Sequence, residues 1–187
     1  MSKVNLGKIQ EWIDAGRLDP TQRIGIKELY ASGLITTVRD GVKLLAGGSE
    51  TLASPVNMLV SKASAAAIDA VEAAGGRVVT RYYTRRAIER VLRGESVETD
   101  QPLATGPEHV AAALEERKGR PLRYRLPDPT SRSDIEYYRD PAHRGYLSHL
   151  LKPGESPSLY FRVPAAAKPT GRVSRAGKIA EDKDRLF

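Results

Sequence analysis

Side chains able to carry a reaction are few and scattered in this 187-residue chain. The histidines are His109, His143 and His149, and none has a second ligand at metal-binding spacing; His143 and His149 stand six apart. Each is expected to serve a surface or structural contact. The stretch AGGSETL (46–52) sets glycines beside a serine, but it lacks the lysine and the strand-to-helix setting of a phosphate loop, and reads as a turn. There is no G-x-S-x-G elbow and no H-E-x-x-H helix. Asp14, Asp19, Glu28 and Asp40 could in principle gather round a divalent cation as in a nuclease, yet acids so spaced ordinarily occupy the solvent faces of helices and turns. The chain has no cysteine, which excludes disulfides, thiolate zinc sites and a cysteine nucleophile together. The expectation is a protein without catalytic residues, metal or cofactor.

Arginines and aromatics offer a different chemistry. In RVVTRYYTRR (77–86) an extended strand would set Arg77, Val79, Arg81 and Tyr83 on one face, with Val78, Thr80 and Tyr82 on the other. A basic face carrying an aromatic suits phosphates and stacked bases. An edge strand kept soluble by arginine has the same appearance. Charge points the same way: the formal net charge is +7, which favours a polyanionic partner. Residues 1–80 hold nine basic and eight acidic side chains, so almost all of the excess lies after them.

These groups need elements to hold them. VNLGKIQEWIDAGRL (4–18) and IGIKELYASGL (24–34) each open on two apolar residues one apart, run on to Ile9 or Leu29, and close on a glycine and a leucine. That predicts a short strand followed by a short helix, used twice. Trp12 falls beside Ile9 and Ile13 and is expected in the core rather than as a base-stacking platform. DGVKLLAGG (40–48) and PVNMLVSKA (55–63) read as strands joined by a Gly-Gly-Ser bend. In AIDAVEAAGGRVV a helix would face Ala63, Ala67, Val71 and Ala74 inward and Asp69 and Glu72 outward. Gly75 would end it in a left-handed cap and Gly76 would turn the chain into the next strand.

After Tyr83 the pattern changes. TRRAIERVLRGE (84–95) predicts a helix capped by Thr84, with Ala87, Ile88, Val91 and Leu92 as its apolar side and Arg85, Arg86, Arg90 and Arg93 as its rim. PEHVAAALEERKG (107–119) predicts another, with Pro107 in its first turn and Gly119 past its end. From 120 onward prolines recur and an extended, surface-following chain is expected, with DPAHRGYLSHLL (140–151) as a helical island. The last twenty residues are polar and charged, and would order only against a partner. The division expected is a globular α/β domain over 1–83, a helical extension over 84–119, and a proline-rich tail over 120–187.

Taken in order and spacing, VNLGKIQEWIDAGRLD, IGIKELYASGLI, VKLLAGG, PVNMLVSKAS and AIDAVEAAGGRV resemble the carboxy-terminal domain of the large-subunit ribosomal protein L-fifteen family, over about residues 3–83. The most specific part is the helix ending in Ala-Ala-Gly-Gly before a basic strand, after a VK-L-LAGG strand. The resemblance implies a small irregular superhelix of strand-strand-helix turns that packs against ribosomal RNA and has no catalytic role. RYYTRRAIERVLRGE and IEYYRDPAHRGYLSH resemble extensions on mitochondrial members of the family, which implies the ribosome of the mitochondrial matrix. Family members begin with a long glycine-, lysine- and arginine-rich arm, and nothing like it, nor a mitochondrial targeting segment, precedes Val4. A truncated amino terminus, or a start at an internal methionine, is expected to account for both.

The partners so implied are large-subunit ribosomal RNA and neighbouring ribosomal proteins, with no homo-oligomer and no membrane span. The expected RNA contacts are Arg39, Lys43, Lys62, Arg77 and Arg81 on the domain, and Arg85, Arg86, Arg90 and Arg93 beyond it; for each, an ordinary solvated charge is the competing reading. Two other functions stay open at this point. One is a free-standing RNA-binding or ribosome-assembly factor that reuses the domain. The other is a small metal-dependent nuclease or hydrolase, which requires Asp14, Asp19, Glu28 or Asp40 to converge in one cleft.

Overall fold

Strand and helix alternate from the first residues because the apolar spacing switches from two to three and four. In the computed structural model, which describes residues 1–95, 107, 111 and 126–159, β1 (Ser2–Asn5) turns Val4 inward and runs straight into α1 (Leu6–Asp14), which buries Leu6 and Ile9. The unit recurs in shorter form as β2 (Arg23–Ile24) and α2 (Ile26–Ala31), with Ile24, Ile26 and Leu29 inside. The expected strand-helix repeat is present. Its two copies, however, feed different sheets.

Six strands form two parallel three-stranded sheets, ordered β1-β3-β5 and β2-β4-β6, where β3 is Val42–Leu45, β4 Asn57–Val60, β5 Lys62–Ala63 and β6 Arg77–Thr80. Successive strands alternate between the sheets, so the chain winds as a coil that leaves one strand in each sheet per turn. The single strand expected over 55–63 is in fact two. Ser61 breaks it: its Oγ accepts from Val42 N at 3.1 Å and its own N–H donates to Val42 O at 3.0 Å. This side-chain bond to the neighbouring strand lets one apolar run serve both sheets. β4 lies at the centre of its sheet, and Met58, Leu59 and Val60 are all buried, the continuous apolar run of a strand covered on both faces.

Helix α3 (Ala65–Ala73) covers this coil with Ala67, Ile68 and Val71, leaving Asp69 and Glu72 outside as expected. Gly75 has φ +80°, the left-handed end of the helix. Gly76 serves close approach: a Cβ there would stand 2.8 Å from both Val56 N and Val71 Cγ1. The small residues of this unit are what let helix and strand touch.

Helix α4 (Arg85–Leu92) starts on Thr84, whose Oγ1 accepts from Ala87 N at 3.2 Å. Ala87, Ile88 and Val91 enter the same core cluster as the strands, and the helix packs on α2. Leu126 joins that cluster too. Beyond it, an unexpected helix, α5 (Arg132–Arg139), stands where the prolines suggest an extended chain. Those prolines flank it; none falls between Ser131 and Asp140. The island at 140–151 consists of two short 3-10 turns, Pro141–His143 and Ser148–Leu150.

Residues 137–147 fasten this segment to both sheets. Tyr138, Tyr146 and Leu147 form a second apolar cluster against Val79, Tyr82 and Tyr137. Thr80 N donates to Arg144 O at 2.9 Å and Tyr146 N donates to Thr80 O at 3.0 Å, adding a bridge to the outer edge of β6. The Tyr138 hydroxyl donates to Ser61 O at 2.8 Å, and that of Tyr137 meets the Ala63 amide at the end of β5. Open sheet edges invite pairing with other chains, and here the last strand of each sheet is met from within. Of the helix expected at 107–119, Pro107 and Ala111 are helical; its remainder and the tail from 160 lie outside the described residues. Among the described residues no helix is long and apolar enough to cross a membrane.

Candidate nucleic-acid interface

Parallel pairing brings three lysines from distant parts of the chain into one row. Lys3 is in register with Lys43, and Lys43 with Lys62, across β1, β3 and β5. Alternation fixes their direction: Val4, Leu44 and Ala63, the next residue on each strand, are in the core, so the lysines face outward. Neighbouring strands lie about 4.8 Å apart, which sets the Cα atoms of the three lysines along a line of roughly 10 Å. None of the three pairs with a carboxylate among the described residues; Lys62 Nζ instead sits 4.7 Å from the centre of the Tyr137 ring. Like charges placed opposite one another destabilise a sheet. The row therefore costs the isolated domain stability. A second row, Arg23, Asn57 and Arg77, lies in register on the outside of the other sheet.

Lys43 and Lys62 are among the contacts expected from sequence; Lys3 is not. Its outward direction is legible in the Lys-Val alternation, but its lysine neighbours are forty and fifty-nine residues away and no local signal reveals them. Arg39, Arg77 and Arg86 are exposed and make no ion pair among the described residues. Arg85 is exposed but reaches Asp40 at 3.4 Å, and Arg93 reaches Glu95 at 3.7 Å. Arg90 is exposed on the same helix and has a partner of its own.

Arg81 needs a correction. The strand pattern places it on an open basic face with Arg77, yet its side chain is wholly buried. Its guanidinium lies 4.4 Å from the Tyr146 ring centre and donates to Leu126 O at 3.4 Å. The face that holds Arg77, Val79 and Arg81 is open only at its first residue, because residues 137–147 lie over the rest. Tyr83 is likewise buried. Burial pushes the Tyr146 hydroxyl far above its ordinary range, and its bond to Asp128 Oδ1 at 2.5 Å adds to the effect.

The four acids weighed for metal chemistry are each used separately. Asp14 accepts from Gln10 Nε2 at 2.7 Å, Asp19 from the Thr21 hydroxyl at 2.6 Å, and Glu28 from Gly25 N at 3.0 Å, while Asp40 holds Arg85. Among the described residues no cluster of three or more acids or histidines could hold a metal ion. His143 lies 2.9 Å from Asp140 Oδ2 and stacks on Tyr137; His149 Nδ1 lies 3.2 Å from Tyr146 O. His109 lies outside the described residues. Trp12 is partly buried against the core, with its Nε1–H donating to Ser32 O at 3.1 Å.

Comparison with known proteins accords with this geometry. Residues 3–79 match the family model that describes the ribosomal proteins 50S-L15 and 50S-L18e together with their 60S counterpart. The chain is 55% identical over 185 residues to the large ribosomal subunit protein uL15m of Neurospora crassa, covering 98% of this chain and 59% of that one. It is 32% identical over 148 residues to uL15m of Schizosaccharomyces pombe, covering 79% of this chain and 49% of the relative. With the large ribosomal subunit protein uL15 of Methylorubrum extorquens the identity is 44% over 82 residues, 44% of this chain and 47% of the relative. The chain thus spans about half to three-fifths of the length of these relatives.

Proposed function

This chain belongs to the L-fifteen family of large-subunit ribosomal proteins, and from that premise we propose that it is a structural constituent of the large subunit of the mitochondrial ribosome. Its two long matches are to relatives named as mitochondrial members, one of them nearly end to end along this chain. The observation that carries the reading is the row Lys3, Lys43 and Lys62, three cations held in register across one sheet without a carboxylate partner among the described residues. Such a row neutralises phosphates without reading bases, which is how folded RNA is mostly held. Arg39, Arg77 and Arg86 extend the basic surface, and Arg85, Arg90 and Arg93 join it where RNA competes for them. The coil works as a wedge between RNA segments, with neighbouring ribosomal proteins as its further contacts, and catalyses no reaction. The wedge is not confined to residues 1–83: α4 and Leu126 share the core of the strands, and residues 137–147 are fastened to both sheets.

Sedimentation of a mitochondrial lysate on a sucrose gradient tests this. The protein is expected to travel with large subunits at low salt and to leave them only at high salt, since each phosphate contact adds roughly 0.7–0.9 to the logarithmic salt slope. Recovery solely at the top of the gradient would overturn the reading.

A further inference from the structure

The lysine row does not end at Lys62. Its ammonium lies 4.7 Å from the centre of the Tyr137 ring, and that ring stacks on His143 at 4.1 Å between centroids with the planes 30° apart. Two contacts therefore lead from the last cation of the row to an imidazole. The pair is held from several sides. Tyr137 Oη accepts from Ala63 N at 3.3 Å, the His143 carbonyl accepts from Thr80 Oγ1 at 3.0 Å, and Asp140 Oδ2 stands 2.9 Å from His143 Nδ1. The other carboxylate oxygen of Asp140 accepts from Ala142 N at 2.9 Å. The imidazole side chain nevertheless remains 40% exposed.

An aromatic stack that served only to glue residues 137–147 to the sheets would sit inside the second apolar cluster, as Tyr138 does. His143 instead lies at its rim, fixed in orientation and open to solvent, at the end of a line of cations. We propose that the Tyr137–His143 pair is a nucleobase platform: an RNA strand runs with its phosphates along Lys3, Lys43 and Lys62, and an unpaired base of that strand stacks on His143. This rests on the RNA-binding role and adds its class of ligand, an unpaired nucleotide beside the phosphates of its own strand. Stacking of a base on an aromatic side chain tolerates any sequence, because every base has a π-face.

The test uses the full chain with a fluorescein-labelled single-stranded 12-nucleotide RNA and a duplex of the same length. His143→Ala is expected to weaken single-strand binding roughly tenfold and to leave duplex binding unchanged, whereas His143→Phe keeps both. Equal single-strand affinity for the unaltered chain and His143→Ala would overturn the platform. A second readout is independent of any variant. 2-Aminopurine placed within the single strand is expected to be quenched on binding the unaltered chain, and unquenched emission at saturation would overturn the platform as well. Neither outcome touches sedimentation with large subunits, so the platform and the ribosomal assignment fail separately.

Discussion

Arg81 lies with its guanidinium 4.4 Å from the centre of the Tyr146 ring, sixty-five residues further along the chain, and both side chains are buried. The cation sits between the last strand of the coil and the segment that covers it, and the Leu126 carbonyl takes one of its N–H groups. It works as a bolt between these parts. Removing it leaves a cavity and strips the ring of its cation, so Arg81→Ala is expected to cost about 2–4 kcal/mol in urea unfolding. Arg81→Lys is not expected to restore this, because an ammonium lacks the flat face that lies on the ring.

The adjacent glycines of the α3–β6 turn should differ in kind. Gly76→Ala pushes a methyl against Val56 and Val71 and is expected to destabilise by about 1–3 kcal/mol through overpacking. Gly75→Ala meets only Pro55 Cβ at 3.9 Å, and its cost of about 1–2 kcal/mol comes from φ +80° alone. Gly75→Asn, which tolerates that conformation, is expected to recover part of the loss. No asparagine rescue is expected at Gly76. Thermal melts of the four variants decide it.

For the lysine row, stability and affinity are expected to move in opposite directions. Lys43→Gln relieves repulsion from Lys3 and Lys62, in register on either side, and should stabilise the isolated chain by about 0.2–1 kcal/mol. The same change removes one phosphate contact, lowering the salt slope of RNA binding by roughly 0.7–0.9. Stability that falls together with affinity would show that Lys43 is structural.

Arg144 and Glu72 form a two-pronged pair at 2.6 and 2.8 Å, fastening the covering segment to the outside of α3. The hydrogen bond from Arg144 holds the Glu72 carboxyl below its ordinary value of 4.5. Folded Glu72 thus binds fewer protons than unfolded Glu72 near that pH. Its contribution is complete above the ordinary value and disappears as pH falls through the lowered one. Both groups are partly exposed, so the effect is expected to stay below about 1 kcal/mol. Urea midpoints of the unaltered chain and Glu72→Gln should separate above about pH 5 and converge in acid.

Thr84→Ala is expected to cost about 1 kcal/mol, since the threonine hydroxyl satisfies an N–H at the start of α4. The loss should appear in global urea unfolding rather than in local fraying, because Ala87, Ile88 and Val91 belong to the common core.

Much of this molecule is legible locally. The paired strand-helix units, Ala67 and Val71 on the inward face of α3, the left-handed Gly75, the Thr84 cap and the apolar side of α4 follow from spacing within a few residues, where periodicity and turn chemistry act. Ala63, expected on that helix face, is instead in β5, and Ile68 joins the face unannounced. Residues 126–159 are less legible. Prolines at 127, 129 and 141 suggest an extended chain, but the eight-residue helix between them is stabilised by burying Tyr138, which composition does not announce.

By itself the sequence determined which residues could be helix, strand or turn, because those preferences depend on near neighbours. Its excess of cations also favoured a polyanionic partner. Tertiary structure alone decided which cations are open and which are buried. Arg77 and Arg81 look alike on a strand, yet one is open and the other is sealed under a segment sixty residues downstream. Lys3, Lys43 and Lys62 are unremarkable singly and become a row only through parallel register. Register and covering are set by contacts between distant parts of the chain, and no window of local sequence contains both partners.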